Sequence, residues 1–163
     1  MSAIEELHDI RLVLNGESVV ARVPARMHLG DFIRNVQGKT GTHIGCEHGV
    51  CGACNVTLDG QSVRSCLMLA VQADGSKVDT VEGLTQSGVI ADLQSEFVAR
   101  NALQCGYCTS GILATAAEML RGPQLSREGI RDALSGNFCR CTGYHAIVDA
   151  IETVMIKRRS AGS

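Results

Sequence analysis

Eight cysteines in two quartets, Cys46, Cys51, Cys54 and Cys66, then Cys105, Cys108, Cys139 and Cys141, are the residues of this 163-residue chain whose type and spacing point to chemistry. In an oxidising compartment they would pair as four disulfides. No apolar signal stretch follows Met1, however, and the remaining composition is that of an ordinary cytosolic domain. Where thiols stay reduced, clustered thiolates are ligands for soft metals.

In the first quartet four residues separate Cys46 from Cys51, two separate Cys51 from Cys54, and eleven more precede Cys66. Cys-x4-Cys-x2-Cys with a distant fourth cysteine is the plant-type 2Fe-2S spacing. Three thiolates must wrap one side of a flat two-iron cluster while the backbone offers its amides to sulfur. Gly45, Gly49 and Gly52, interleaved with the ligands, allow that close approach and the dihedrals it requires. Zinc also takes four thiolates but favours paired Cys-x(2-4)-Cys knuckles, and this segment is a triplet. A Rieske centre needs two histidines in place of two cysteines; His43 and His48 are close, yet all four thiols are present, so both read as loop or surface residues.

The second quartet is two hooks, Cys105-x2-Cys108 and Cys139-x-Cys141, with thirty residues between them. Alone it is the weaker signal. Cys-x-Cys suits zinc as well as iron, and Cys105-Gly106-Tyr107-Cys108 has the form of a redox disulfide, although that leaves Cys139 and Cys141 without a role. Gly106 lets the chain bend over a cluster, Arg140 either offsets cluster charge or reaches solvent, and Tyr107, Phe138 and Tyr144 are read as packing that excludes water.

The elements that must hold these thiols follow from periodicity. Ile10, Leu12, Leu14, then Asn15-Gly16, then Val19, Ala21 and Val23 predict a tight hairpin ended by Pro24. Leu29, Phe32, Ile33 and Val36 predict a short helix crossing it. Residues 38–52 have no periodicity and five glycines, a long loop shaped by ligation. Cys54, Val56 and Leu58 run into Asp59-Gly60, and Val63 and the run 66–71 are expected to supply returning strands, with a late strand at 78–81. The first domain should end near Gly83. The second half is helical: Val89 to Phe97, Ile112 to Leu120 stopped by Gly122-Pro123, a helix capped by Ser126, and a stripe from Ile147 to Met155. Four helices joined by short connections make a small bundle, and each hook precedes a helix N-terminus, where unpaired amides favour an anionic cluster.

Formal charge of -2, a pI near 6.2 and the absence of a basic stripe with spaced aromatics exclude a nucleic-acid surface. No apolar run reaches the roughly 20 residues needed to span a bilayer. Lys157, Arg158 and Arg159 read as a solvated helix end.

The segments Cys46-Glu47-His48-Gly49-Val50-Cys51-Gly52-Ala53-Cys54, Gln104-Cys105-Gly106-Tyr107-Cys108-Thr109 and Asn137-Phe138-Cys139-Arg140-Cys141-Thr142-Gly143-Tyr144 resemble the small iron-sulfur subunit of molybdenum hydroxylases, the xanthine oxidase, aldehyde oxidase and carbon monoxide dehydrogenase family. The resemblance runs over essentially the whole chain. It implies an α+β fold: a plant-type ferredoxin-like (β-grasp) domain over residues 1–83, then a four-helix-bundle-like domain over residues 84–163. It implies one 2Fe-2S cluster on Cys46, Cys51, Cys54 and Cys66, nearer a flavin, and another on Cys105, Cys108, Cys139 and Cys141, nearer molybdenum. Gln104 would touch the pterin of the molybdenum cofactor. Expected partners are a large subunit with molybdopterin, in a dinucleotide form, and a medium subunit with FAD, assembled as a dimer of heterotrimers in the cytoplasm. This chain would then relay electrons as a non-catalytic subunit of an oxidoreductase. A freestanding two-cluster ferredoxin and a zinc-stapled scaffold are the alternatives. One departure is Ser110, where many relatives have proline after Cys-Thr; proline at a helix start is replaceable.

Overall fold

The computed structural model describes residues 6–161. The chain begins with β1 (Leu7–Leu14) and β2 (Glu17–Pro24), an antiparallel hairpin in which Leu14 pairs with Glu17. Asn15 and Gly16 take φ of 54° and 84°, the two left-handed residues of a type I′ turn that the Asn-Gly pair accommodates. After β3 (Asn55–Leu58) and β4 (Gln61–Arg64), a second hairpin with Asp59 and Gly60 in the same conformation, β5 (Lys77–Asp79) enters the middle of the sheet. The order is β2-β1-β5-β3-β4, with β5 parallel to β1 and antiparallel to β3.

The crossing helix begins as α1 (Leu29–Asp31) and continues as a π-helical turn, Phe32–Val36. Leu29, Phe32 and Ile33 are completely buried against Ile10, Leu12, Val56 and Val78. Each such side chain contributes on the order of 1.5–3 kcal/mol by leaving water. Two expectations for the sheet need correction. Residues 66–71 are not a strand: the amides of Leu29 and Ala70 bond the carbonyls of Met68 and Met27, so this segment pairs with the start of the crossing helix and then turns through a 3-10 helix at Ala70–Ala73. The late strand stops at Asp79, because Val81 already opens a helix.

That helix, α2 (Val81–Gln86), is an element the periodicity did not reveal. It starts where Asn15 accepts the Thr80 amide at 2.8 Å, and Gly83 lies so close to Asn15 Oδ1 that a Cβ would sit 2.3 Å from it. The helical half continues with α3 (Ala91–Ala99), α4 (Thr109–Met119), α5 (Arg127–Ala133) and α6 (His145–Ala161). Ser126 caps α5 by accepting the Gly129 amide at 3.1 Å. Its core is Leu93, Phe97, Ile112, Ile130, Ile147 and Ile151 with their neighbours. Lys157 and Arg158 are not simply a solvated helix end. Arg158 holds both carboxylate oxygens of Asp92, at 2.8 and 2.6 Å, and Lys157 pairs with Glu96, so both tie α6 to α3.

The two halves meet along α4 and β3. Gly111 of α4 lies against Gly52, where a Cβ would be 2.0 Å from the Gly52 carbonyl. Asn55 donates to Thr115 at 2.8 Å and the Ser62 amide to Glu118 at 3.0 Å, so polar groups as well as small residues fix this contact. Among the described residues no helix is long and apolar enough to cross a membrane.

Candidate metal centres

Cys46, Cys51 and Cys54 sit in the loop between the π-helical turn and β3; Cys66 follows β4. Glu47, Gly49 and Gly52 have φ of 54°, 73° and 70°, and this left-handed backbone turns successive amides inward. The amides of His48 and Cys51 each lie 3.4 Å from Cys46 Sγ. Those bonds, with Cys51 first, lower the Cys46 thiol to about 6. Cys66 behaves oppositely: burial, with the Cys54 thiol beside it, pushes it up to about 11. His28 contacts the Cys66 carbonyl through Nδ1, tying Cys66 to the start of α1. Gly49 is favoured by its φ of 73°, and a Cβ there would also have to displace the exposed Leu67 side chain, whose Cδ1 would lie 2.1 Å away.

In the second quartet Cys105 and Cys141 are exposed with sulfurs 3.6 Å apart. Cys108, the N-cap of α4, and Cys139, in the loop before α6, are half-buried and in contact. Burial, with Cys139 beside it, raises Cys108 to about 12. Burial pushes Cys139 up, but the Thr142 hydroxyl and amide, the Cys141 amide and the Cys108 thiol together outweigh it and its thiol is lowered. Cys141 is raised by its hydrogen bond with Cys105.

All eight thiols are free, and they meet as pairs: Cys46 with Cys51, Cys54 with Cys66, Cys105 with Cys141, Cys108 with Cys139. Metal-thiolate bonds of about 2.3 Å in tetrahedral geometry put two sulfurs on one metal about 3.8 Å apart. A single zinc ion needs all four sulfurs at that separation, whereas a two-iron cluster needs two pairs set apart by its bridging sulfides. Among the described residues no group of three or more His, Cys, Asp or Glu side chains converges on a single-ion position. The donor set fits a 2Fe-2S cluster in each quartet, and in the second each pair takes one thiol from each hook.

The remaining sequence-predicted residues fall around these pairs. Gln104 is exposed and donates to the Cys141 carbonyl at 3.0 Å. Tyr107 does not pack inward: its hydroxyl donates to the Ile44 carbonyl at 2.8 Å and its ring stacks on His43 at 4.7 Å, joining the loops of the two quartets. Phe138 is 53% exposed. Arg140 is exposed. The Tyr144 hydroxyl accepts the Cys139 amide at 2.8 Å and donates to the Asn137 carbonyl at 3.0 Å. Three residues carry weight that spacing did not reveal. Asn137 is buried with its amide 3.2 Å from the Gly52 carbonyl, Arg64 reaches the Gly136 carbonyl at 2.7 Å, and Thr142 contacts Cys139. The one available signal was their position beside ligand motifs.

Residues 12–85 match the family model for a 2Fe-2S iron-sulfur cluster binding domain, and residues 80–152 match that for a 2Fe-2S binding domain. The chain is 49% identical over 144 residues to the nicotine 6-hydroxylase small subunit of Paenarthrobacter nicotinovorans, covering 88% of this chain and 87% of that one. Its fold matches a chain of quinoline 2-oxidoreductase from Pseudomonas putida 86 with TM-score 0.87 and 48% identity, over 96% of this chain and 98% of the other. Aldehyde oxidoreductase from Desulfovibrio gigas matches with TM-score 0.88 and 36% identity, covering 94% of this chain but 17% of that longer polypeptide. The fold and cysteine pairs therefore define a two-part iron-sulfur protein with a ferredoxin-like sheet domain and a helical domain. The chain belongs to the small iron-sulfur subunits of molybdenum hydroxylases.

Proposed function

We propose that this chain relays electrons between a molybdopterin active site and FAD, both held by other subunits, through two 2Fe-2S clusters. Cys46, Cys51, Cys54 and Cys66 hold the first; Cys105, Cys108, Cys139 and Cys141 hold the second. When bound, each cluster takes up and returns one electron at a time, so the pair can hand on singly the two electrons of a substrate oxidation. The observation that carries this reading is the direct contact between ligand-bearing segments: the Phe138 amide donates to the Cys51 carbonyl at 2.8 Å. Phe138 is bonded to Cys139, so one hydrogen bond completes a path from a ligand of the first quartet to a ligand of the second.

The surfaces support an orientation of the chain between its two partners. Cys105, Cys141, Gln104 and the exposed Leu103 and Phe138 form the outward end of the second quartet. We assign that end to the large molybdopterin subunit, with Gln104 toward the pterin. Val50 and Leu67, 50% and 61% exposed beside the first quartet, are assigned to the medium FAD subunit. The likeness to one segment of a longer aldehyde oxidoreductase chain supports close association with a catalytic partner. The domain boundary is placed at residue 83, within α2, and the complex is a cytoplasmic dimer of heterotrimers.

Purification of the native complex with metal, flavin and pterin analysis tests this reading, followed by a substrate screen beginning with nitrogen heterocycles and an artificial electron acceptor. Co-purification with a molybdenum chain and a flavin chain is expected. A chain isolated alone, fully loaded with iron and docking to neither, would favour a freestanding ferredoxin and overturn the proposal.

A further inference from the structure

Thr142 lies one residue beyond the second hook, and its hydroxyl is 3.1 Å from Cys139 Sγ. Its own amide is 3.4 Å from the same sulfur. The direction of the hydroxyl bond follows from the state of the sulfur, while the other partner of the oxygen leaves its proton free. The Tyr144 amide lies 3.3 Å from Thr142 Oγ1 and has only a proton to offer, so the oxygen accepts there. A cysteine bound to metal is deprotonated and has no proton to donate. The hydroxyl proton therefore points at sulfur, and Cys139 receives two donors from one residue.

The backbone makes this arrangement rather than chance rotation of a side chain. Tyr144 has φ of 68°, a left-handed conformation uncommon for a tyrosine, which accompanies the return of its amide to Thr142 Oγ1. Its hydroxyl is held by the Cys139 amide and the Asn137 carbonyl, at 2.8 and 3.0 Å. The loop is thus closed at both ends around Thr142, and Cys139 is half-buried, where a donor acts on charge more strongly than in water.

We propose that the Thr142 hydroxyl raises the reduction potential of the second cluster by donating to the Cys139 thiolate. This rests on Cys139 being a cluster ligand, as proposed above. Reduction adds a negative charge shared with the thiolates, and a donor to sulfur stabilises that reduced state more than the oxidised one. Thr142 is a positioning and tuning residue; it holds no metal itself.

The test is a redox titration of the purified native complex, followed by paramagnetic resonance, for Thr142→Val and Thr142→Ser. Valine keeps the shape and removes the hydroxyl; serine keeps the hydroxyl. In Thr142→Val one of the two midpoints should fall by the equivalent of about tenfold in the one-electron equilibrium, roughly 59 mV, while the other stays fixed. Thr142→Ser should remain near the native value. Iron and acid-labile sulfide are measured alongside. With both clusters present, an unmoved midpoint, a joint fall of both midpoints, or an equal fall in Thr142→Ser overturns the role of Thr142. A native complex that lacks a second cluster overturns the ligand assignment instead. If valine fails to retain iron, Thr142→Ala serves the same reading; loss of the cluster in both, with serine intact, would make Thr142 a folding residue and overturn the proposal.

Discussion

Phe138 and Cys51 are joined by a 2.8 Å backbone hydrogen bond that links the loop bearing the first cysteines to the loop bearing Cys139 and Cys141. The contact exists because residues around it lack side chains. Gly52 would place a Cβ 2.4 Å from the Gly136 carbonyl, and Gly111 would place one 2.0 Å from the Gly52 carbonyl. These neighbours are backbone, so they cannot yield by rotating a side chain. Gly111→Ala is expected to push α4 off the Gly52 loop and cost about 1–3 kcal/mol. Thermal unfolding with iron analysis checks it; unchanged stability and iron content would contradict the packing described.

The thiols of the cluster-free chain should differ widely in acidity. Cys46 ionises at about 6 because two amides point at its sulfur, whereas burial holds Cys66 at about 11 and Cys108 at about 12. Alkylation followed by mass spectrometry should label Cys46 first at neutral pH, with a rate profile centred near pH 6. The stability terms have opposite signs. Cys46, lowered from 9.0, favours the fold above that value and loses its contribution as pH falls through about 6. Cys66, raised from 9.0, favours the fold below that value and loses its contribution as pH rises through about 11.

Glu82 gives the fold an acid-sensitive tie. Burial pushes its carboxyl up, but the Thr80 hydroxyl and the Gly41 amide, with Lys39 nearby, hold it below 4.5. It joins α2 to the loop that precedes the first cysteines. Because the folded pKa is lowered, this stabilisation is present above about 4.5 and is lost as pH falls through the folded value. Glu82→Gln should flatten that limb of the stability profile, measured by chemical denaturation from neutral to acid pH.

Arg158 and Asp92 bind α6 to α3, and Arg158 also reaches the Val89 carbonyl at 2.6 Å. Both side chains are partly exposed, 34% and 41%, so solvent screens the pair. A double-mutant cycle with Arg158→Ala and Asp92→Asn is expected to give a coupling of up to about 1 kcal/mol. No coupling would return Arg158 to the status of a solvated helix end.

Elements with a strong local signal were legible in the sequence. Asn15-Gly16 specified its turn, Ser126 its cap, and the stripe from Ile147 to Met155 its helix, since each depends on neighbours in the chain. What escaped depends on distant partners. α2 forms where Asn15, 65 positions earlier, meets Thr80. Residues 66–71 have strand-like composition, but Met68 is taken by the start of the crossing helix. Cysteine spacing revealed the two quartets without showing that the second pairs Cys105 with Cys141 and Cys108 with Cys139, because that exchange between hooks is made by tertiary packing. Thr142 and Asn137 likewise carry no pattern of their own; only the folded loop brings one to sulfur and the other to Gly52.

The most direct measurement is quantification of iron, zinc and acid-labile sulfide in the anaerobically purified native complex, with paramagnetic resonance after reduction. Two irons and two sulfides for each cysteine quartet of this chain, with two distinct signals, are expected from the two 2Fe-2S domains. Stoichiometric zinc without labile sulfide, or iron and sulfide sufficient for one quartet alone, would contradict a chain in which both quartets carry electrons.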